Sequence, residues 1–325
     1  MRILVTGGAG YIGSVTAAAL IARGHDVVVL DDLRTGHRAA VPDGAVFVRG
    51  DVADPDVVGV TLGEHGSEAI VHFAASSLVG ESMEKPMLYF GNNTAGTLAL
   101  LDTALRHGVD RFVLSSTAAL YGTPERVPIP EDAPLQPESV YGESKHLIER
   151  TLAWLGRTAG LGWTALRYFN AAGADGERGE DHRPESHLIP LVLQVALGTR
   201  EEIALFGDDY PTPDGTAIRD YVHVVDLAQA HVLALEAIRP GEGRAYNVGT
   251  GRGFSVLEVV EACRRVTGHA IPARVAPRRA GDPPALVADA SRIASELGWT
   301  PAHDDLDAIV TSAWDWHVAH PEGYA

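Results

Sequence analysis

The sequence has a single cysteine and no apolar run of membrane-spanning length, and both shortages limit what the protein can be. Cys263 is the only cysteine among 325 residues, so the chain has no internal disulfide and no cluster of thiolate metal ligands. Because Cys263 lies inside the apolar helical pattern of residues 255–267, we expect it in a hydrophobic core. No stretch reaches the roughly 20 apolar residues that a membrane-spanning helix needs.

Positive charge is scarce as well. The chain has 26 lysines and arginines against 43 aspartates and glutamates, which gives a formal net charge of -17. This balance disfavours binding to nucleic acids and to anionic membrane surfaces. Glycines interrupt the N-terminal apolar run at once, so it does not have the pattern of a signal peptide. We therefore expect a cytoplasmic protein with no nucleic-acid and no membrane partner.

The N-terminal segment has the pattern of a dinucleotide-binding unit. The apolar run Arg2–Thr6 predicts a buried strand, the glycine-rich residues 7–13 follow it, and a helix is predicted at residues 14–23. Glycines allow the backbone to approach a pyrophosphate, and the helix N-terminus offers it free N–H groups. A second predicted strand, residues 27–30, ends at Asp31, whose carboxylate can bind ribose hydroxyls and would repel a 2′-phosphate. The pattern therefore predicts NAD rather than NADP.

Strands and helices alternate along the rest of the chain, which predicts an α/β protein with a doubly wound parallel sheet of the Rossmann type. Ligands in such sheets bind beyond the carboxyl ends of the strands. Further strands are predicted at residues 46–48, 69–73, 111–114, 163–166 and 245–248. Further helices are predicted at residues 54–63, 86–107, 139–157, 188–198, 224–238, 255–267 and 303–319.

A tyrosine and a lysine four residues apart form a candidate acid–base pair. Tyr141 and Lys145 lie in the predicted helix 139–157, where residues i and i+4 share one face. A fixed ammonium lowers the pKa of a neighbouring phenol from its usual value of about 10. The alternative is a chance pair of exposed helical side chains. Hydroxyls of Ser115 and Thr117, at the end of a predicted strand, can hydrogen-bond a reacting oxygen or merely satisfy loop backbone groups.

The charged, glycine-bearing segment of residues 173–185 is expected to be a mobile loop or lid. His182 lies in this segment and His187 follows it, and together they raise the hypothesis of a metal site. In this interpretation no clustered carboxylates or thiols accompany the two histidines, so no metal ligand is predicted.

Family-specific segments occur along essentially the whole chain. They are VTGGAGYIGS, HDVVVLDDL, GDV, VHFAA, VGES, NNTAGT, SSTAALYG, YGESK, LRYFNAAGA, HLIPLVLQVA, FGDDYPTPDGTAIRDYVHV, YNVGTG, APRRAGDPP and ADASR. Through them the chain resembles the extended short-chain dehydrogenase/reductases and, within that family, the UDP-glucose (UDP-galactose) 4-epimerases. The RYFN and PTPDGTAIRDYVHV segments are far more specific for this resemblance than the glycine pattern.

The resemblance implies an isomerase that reversibly inverts C4 of UDP-galactose and UDP-glucose through a 4-keto intermediate, with NAD as a bound cofactor. It implies that Tyr141 acts as a base in its phenolate form, that Lys145 lowers the phenol pKa and binds the nicotinamide ribose, and that Thr117 hydrogen-bonds the same sugar oxygen. It also implies a homodimer formed through helices near residues 86–107 and 141–157.

The resemblance further implies two domains and two sets of contact residues. Residues 1–170 would form an NAD-binding Rossmann domain, with return segments near residues 220–250, and residues 171–325 a smaller, mixed α/β domain that binds the UDP-sugar. The residues implied for NAD are Gly7, Gly10, Tyr11, Ile12, Gly13, Asp31, Asp51, Val52, Phe73, Ala74, Ala75, Asn92, Ser115, Tyr141, Lys145 and Tyr168. Those implied for the UDP-sugar are Thr117, Tyr141, Phe169, Asn170, His187, Leu188, Arg219, Tyr221, Arg279, Asp282 and Leu286.

Three other functions are weighed against this one. An epimerase of the same type that acts on a UDP-N-acetylhexosamine, a UDP-pentose or a UDP-uronate remains an alternative. A 4,6-dehydratase or decarboxylase is disfavoured, because elimination needs an added acid and base where this chain has Ala118 and Ala119. A catalytically silent NAD-sensing protein is disfavoured by the intact Tyr141, Lys145 and Thr117.

Four positions depart from better-known members of the family. Thr117 stands where many have serine, and its hydroxyl can serve equally. Ser77 stands where many have a lysine that reaches toward the cofactor, and His187 replaces an asparagine of the UDP site. Leu286 occupies a variable position that lines the sugar pocket near C2. Members with tyrosine there tend to be confined to UDP-glucose and UDP-galactose, whereas members with a small residue also accept UDP-N-acetyl sugars.

Overall fold

The structure is a computed structural model and describes residues 1–279 and 282–324. Its strands are β1 (Arg2–Thr6), β2 (Asp26–Asp31), β3 (Val46–Arg49), β4 (Ala69–His72), β5 (Arg111–Thr117), β6 (Gly162–Tyr168), β7 (Asn170–Ala172), β8 (Ile203–Phe206), β9 (Ile218–His223), β10 (Gly243–Val248), β11 (Gly253–Ser255), β12 (Ala273–Ala276) and β13 (Ala285–Leu286). Its helices are α1 (Tyr11–Ala22), α2 (Pro55–His65), α3 (Val79–Glu84), α4 (Pro86–Tyr89), α5 (Gly96–Arg106), α6 (Val140–Ala159), α7 (Leu188–Ala196), α8 (Val224–Ala237), α9 (Val256–Thr267), α10 (Ser291–Leu297) and α11 (Leu306–Ala319). None of the helices in the described ranges combines the length and the apolar character that a membrane-spanning segment requires.

Seven parallel strands form the central sheet, in the order β3-β2-β1-β4-β5-β6-β10. Its inner strands are apolar on both sides, as expected for parallel strands that helices cover on both faces. Val5 of β1 belongs to the core under α1 and α8, and its neighbour Leu4 belongs to the core under α2, α5 and α6. The predicted α/β fold with a doubly wound sheet of the Rossmann type is confirmed.

The strand order reverses at β1, and this reversal places a crevice at the carboxyl edge of the sheet. Strands β2 and β3 lie on one side of β1, whereas β4, β5 and β6 lie on the other. The helix after β1 covers one face and the helix after β3 covers the opposite face. Ligands of open parallel sheets bind at such a switch point, so the loops after β1, β2, β4 and β5 are the places to search for a site.

The chain after β6 builds a smaller part beside this edge. β9 pairs in parallel with β7 and β13 and antiparallel with β11, while β8 pairs with β12. Helices α7, α9 and α11 pack around a core of their own. Strand β10 leaves this part and adds to the central sheet beside β6. The domain boundary at residue 170 stays a prediction.

The prediction of one continuous α-helix over residues 86–107 is wrong. A π-helical segment, Phe90–Ala95, separates α4 from α5. The wider turn accommodates the buried side chain of Asn93, which hydrogen-bonds Ser76 and Ser144. The sequence also does not predict the short strands β7 to β9 and β11 to β13 or the short helices α3 and α10, because such segments carry too few residues for a periodic pattern.

The segment between β7 and α7 is fixed by the C-terminal part of the chain. Trp316 Nε1 donates to the Glu177 carbonyl at 3.3 Å, and the Gly179 N–H donates to the Tyr324 hydroxyl at 3.1 Å. The Tyr324 N–H donates in turn to Asp181 Oδ2 at 3.0 Å. The expectation of a mobile lid does not fit this packing. The residues that fix this segment, Trp316 and Tyr324, lie far away along the chain, so a local sequence pattern does not show their contacts with it.

Candidate active site

The glycine-rich turn between β1 and α1 has the shape of a pyrophosphate cradle. Gly7 has φ +70°, and a Cβ added there would lie 2.5 Å from the Ala74 nitrogen. A Cβ at Gly13 would clash with the Gly7 carbonyl oxygen. Gly10 is the N-cap of α1 and has no side chain to occupy the first N–H groups of the helix. The residues present therefore fit a dinucleotide, whose diphosphate can take those N–H groups.

Asp31 ends β2 in a fixed orientation. Its Oδ2 accepts a hydrogen bond from the Ala9 N–H at 3.0 Å, and its Oδ1 accepts one from the Leu33 N–H at 2.8 Å. Burial raises the pKa of Asp31, and the two N–H groups oppose that rise. An ionised carboxylate offers about four acceptor sites, so Asp31 can still accept the hydroxyls of a ribose.

The other residues implied for NAD lie around the same edge. Asp51 and Val52 follow β3, Phe73, Ala74 and Ala75 follow β4, Asn92 lies in the π-helical segment, and Ser115 and Tyr168 lie in β5 and β6. The side chain of Tyr11 serves another purpose, because its hydroxyl donates to the Gly173 carbonyl at 2.6 Å. Only the backbone of Tyr11, with that of Ile12, is left to contact a phosphate.

Asn93 is a supporting residue that sequence reasoning missed. Its Oδ1 accepts from the Ser76 N–H at 2.8 Å, and its Nδ2 donates to the Ser76 carbonyl at 2.9 Å and to Ser144 Oγ at 3.1 Å. It therefore ties the loop after β4 to helix α6. The available signal was a pair of asparagines in an otherwise apolar helical pattern.

The structure brings the three candidate catalytic residues together. Tyr141 and Lys145 lie in the first turns of α6, whose N-cap Ser139 accepts a hydrogen bond from the Gly142 N–H at 3.1 Å. The Thr117 hydroxyl, at the end of β5, acts on the Tyr141 phenol and lowers its pKa. This arrangement can hold a sugar hydroxyl between a phenol and an alcohol, with a cation close by.

That Lys145 lowers the pKa of Tyr141 stays a prediction, and in the protein alone burial has the largest effect on this phenol. Burial raises the pKa of Tyr141 to about 12, and the Thr117 hydroxyl only partly opposes it. Lys145 donates its Nζ hydrogen bond to the Ser115 carbonyl at 2.8 Å. Burial lowers the pKa of Lys145 to about 8, and the negative charge of Glu149 opposes that fall.

Glu149 is a second residue that sequence reasoning missed. It lies one helical turn beyond Lys145 and accepts hydrogen bonds from Ser116 Oγ and Arg167 Nη2, each at 2.6 Å. Arg167 Nη1 also donates to the Tyr121 hydroxyl at 2.9 Å. The carboxylate thus connects the catalytic helix to β5 and β6. An acidic residue on the buried face of a predicted helix was the available signal.

The residues implied for the UDP-sugar form two groups. Asn170, His187, Leu188 and Tyr221 line one cavity, which Glu180 also lines. The second group consists of Arg219 on β9, Leu286 on β13, and Arg279 and Asp282 just before β13. There Arg219 forms an ion pair with Asp282, and Leu286 lies in register with Arg219 in the neighbouring strand. The Arg279 guanidinium lies 4.2 Å from the ring centroid of Phe206, a partly exposed aromatic residue that sequence reasoning missed.

A small apolar cluster connects the second group to the catalytic residues. Phe169 and Leu286 pack against the buried side chains of Ala118 and Tyr121. Because Ala118 directly follows Thr117, Leu286 lies near the end of β5 from which the Thr117 hydroxyl reaches Tyr141.

The premise that no carboxylates accompany the two histidines is wrong. His187 Nδ1 lies 2.7 Å from Glu180 Oε1 and 2.9 Å from Glu185 Oε1, and His182 Nδ1 lies 3.1 Å from Glu180 Oε1. Glu180 raises the pKa of His187 well above its usual value, although burial opposes the rise. The side chain of His187 is therefore engaged by the two carboxylates.

The comparisons with known proteins decide the family. The profile of the NAD dependent epimerase/dehydratase family matches residues 3–249. The chain belongs to this family. A UDP-glucose 4-epimerase of Corynebacterium glutamicum is 57% identical over 314 residues, which are 97% of this chain and 95% of that protein. A crystal structure of a UDP-glucose 4-epimerase of Bifidobacterium longum in complex with NAD+ and UDP is 38% identical, has a TM-score of 0.95, and covers 100% of both chains.

Another solved UDP-glucose 4-epimerase is 50% identical, with a TM-score of 0.97 over 100% of both chains. Family membership confirms the resemblance and the prediction of NAD as the cofactor. It also confirms the predicted class of enzyme, an isomerase of UDP-sugars.

Replacing Glu149 by glutamine is expected to lower the pKa of Lys145 further below about 8, because the carboxylate opposes the effect of burial. Lys145 then loses its proton at a lower pH, and activity that needs the ammonium falls earlier as pH rises. At pH 8, where Lys145 is about half protonated in the wild type, the first unit of pKa should lower kcat about fivefold and each further unit about tenfold. The pH dependence of kcat measures this. Glu143→Gln, at a more exposed site of α6, should keep the wild-type profile. If the fall of kcat at high pH is not shifted in Glu149→Gln, Glu149 does not support the pKa of Lys145.

Proposed function

We propose that this chain catalyses the reversible C4 epimerisation of UDP-galactose and UDP-glucose through a 4-keto sugar. The observation that carries this proposal is the contact between Tyr141 and Thr117 beside the buried Lys145, at the edge where the glycine turn forms a nucleotide cradle. When bound, NAD⁺ would supply a reversible acceptor for the C4 hydride with its two electrons, so the reaction would have no net redox change.

Tyr141 removes the proton of the 4-hydroxyl group, and Thr117 hydrogen-bonds the same oxygen. With a pKa of about 12 in the protein alone, the phenol is protonated at neutral pH. Added positive charge favours the phenolate, so Lys145 and the cationic ring of the oxidised cofactor both support the basic form. The acid–base step therefore depends on the bound, oxidised cofactor.

The diphosphate and the base of the substrate are held by the second group of residues. Arg219 and Arg279 provide the forked donors that suit phosphate oxygens. Phe206 offers a partly exposed ring beside Arg279, on which a nucleobase can stack. Asn170 supplies a polar side chain from the neighbouring cavity. This anchoring keeps UDP in place while the keto sugar turns over.

A 4,6-dehydratase or decarboxylase stays disfavoured on this scaffold. Ala118 and Ala119 begin the short turn after β5, and neither side chain supplies an acid or a base for elimination. An epimerase for UDP-N-acetylhexosamines, UDP-pentoses or UDP-uronates has the same catalytic residues, and the choice among these sugars depends on the pocket wall at Leu286.

A homodimer and a cytoplasmic location are further parts of the proposal. Met87, Leu98 and Trp154 on α4, α5 and α6 expose 76%, 40% and 61% of their surface, respectively, and apolar side chains at such exposure favour a partner surface. Cys263 is a free, buried thiol, which agrees with a reducing compartment.

Tyr141→Phe is expected to lower kcat by about 10²–10⁴, the contribution of general base catalysis, while UDP still binds. The rate of UDP-galactose conversion and a calorimetric UDP titration measure the two effects. Tyr246→Phe removes a hydroxyl that hydrogen-bonds Glu296 outside the site, so it should keep wild-type turnover. Unchanged turnover in Tyr141→Phe refutes the proposed role.

The wild-type protein should interconvert UDP-glucose and UDP-galactose as its main pair and turn over UDP-N-acetylglucosamine more slowly. Leu is larger than Ser or Cys, and an N-acetyl group forced against a packed wall costs about 1–3 kcal/mol. Leu286→Tyr should remove the N-acetyl activity and spare the main one, as read by chromatography of a sugar panel. If the wild type does not turn over UDP-N-acetylglucosamine and Leu286→Cys does not create this activity, Leu286 does not control the acceptance of N-acetyl sugars.

Trp154→Glu should convert the dimer to a monomer, because a charge in an apolar contact between subunits loses its hydration without a partner. Light scattering at low micromolar concentration measures the mass. Val275→Glu places the same charge at a half-exposed valine of β12 and should leave the dimer intact. A wild-type monomer contradicts the proposal.

A further inference from the structure

Four potential metal ligands lie close together in the segment between β7 and α7. We call Glu180, His182, Glu185 and His187 the His–Glu cluster. One ligand atom from each residue lies within 4.8 Å of the ligand atoms of the other three. The catalytic role proposed for Tyr141 does not involve them, so a role for the cluster does not depend on the proposed function.

The donor atoms of the cluster converge on one point. The Nδ1 atoms of His182 and His187 lie 3.1 and 2.7 Å from Glu180 Oε1, and His187 Nδ1 lies 2.9 Å from Glu185 Oε1. A tetrahedral zinc ion with bonds of about 2.0–2.1 Å separates its ligands by roughly 3.4 Å. These three pairs lie a few tenths of an ångström closer together than that, and every other pair of the four ligand atoms lies within 4.8 Å, so side-chain adjustments bring the four atoms around one ion.

The charges of the cluster also call for a cation. The side chains of Glu180 and Glu185 are each 6% exposed. Across residues 1–279 and 282–324, no lysine or arginine lies within ion-pair distance of either carboxylate; the nearby Arg178 and Arg183 pair with other acids. Two buried carboxylates without such a partner are costly, and only protons on the histidines or a bound cation can balance them.

Backbone groups hold one of the carboxylates in place. Glu185 Oε1 accepts hydrogen bonds from the N–H groups of Ser186 and His187, at 2.7 and 2.8 Å. Partners of this kind orient metal ligands and strengthen binding.

We propose that the His–Glu cluster binds one divalent transition-metal ion of the zinc type, through two imidazole nitrogens and two carboxylate oxygens. Two nitrogen donors disfavour Mg²⁺ and Ca²⁺, which take oxygen ligands almost alone and in greater number. The ion is structural in this proposal. Glu180 and His187 line the cavity that Asn170 and Tyr221 also line, and the same segment contacts α1 through the Gly173 carbonyl and the Tyr11 hydroxyl, so a bound ion would fix this segment between the cavity and α1.

The test uses untagged full-length protein, stripped with a chelator and titrated with Zn²⁺ by calorimetry, with elemental analysis of the dialysed product. One ion per chain is expected. His182→Gln and Glu185→Gln should each weaken binding by on the order of 100-fold, at least the loss seen for supporting residues. His269→Gln, an exposed histidine outside the cluster, is the matched control and should bind as the wild type does. Absence of stoichiometric binding, or equal binding by all variants, overturns the proposal.

A second measurement stays informative if a variant folds poorly. Co²⁺ added to the stripped wild type should give the intense visible absorption of a tetrahedral site, and Zn²⁺ should abolish it. His182→Cys keeps a metal ligand and should add a thiolate-to-cobalt charge-transfer band. A weak octahedral spectrum in the wild type, or a His182→Cys protein without the thiolate band, shows that the ion does not bind in the cluster.

Discussion

A buried ammonium group is the constraint on which the site depends. Lys145 is 1% exposed, and burial lowers its pKa to about 8. A cation at that depth needs a counter-charge, which Glu149 provides, and Arg167 pairs with the same carboxylate from β6. This row of alternating charges holds α6 against the sheet, and with it Tyr141. The position of the phenol is thus set by electrostatics as well as by apolar packing.

The same burial links the chemistry to the cofactor. In the protein alone burial raises the pKa of the Tyr141 phenol to about 12, so the phenol is protonated at neutral pH. A neighbouring cation favours the charged form of a phenol. The nucleotide cradle at Gly7 and the carboxylate of Asp31 lie at the same carboxyl edge of the sheet as Thr117. In the proposed mechanism, binding of the oxidised cofactor therefore also favours the basic form of Tyr141.

Local spacing explains what could be predicted. The glycine turn, Asp31 and the pair of Tyr141 and Lys145 each lie in one short segment, where spacing alone determines which groups share a turn or a helix face. Asn93 and Glu149, which sequence reasoning missed, act on distant parts of the chain, whereas the missed Glu180 and Glu185 lie in the same short segment as the two histidines that they contact. Asn93 bonds a loop 17 residues earlier and a helix 51 residues later, and Glu149 bonds β5 and β6.

By itself, the amino-acid sequence determined the alternation of strands and helices, the dinucleotide pattern and the family. These follow from periodicity, from glycine conformation and from segments that are specific over short distances. The tertiary structure decided the pKa values, the π-helical segment and the anchoring of the segment after β7. Each of these depends on desolvation or on partners brought together by folding, and neither quantity is written in the order of neighbouring residues.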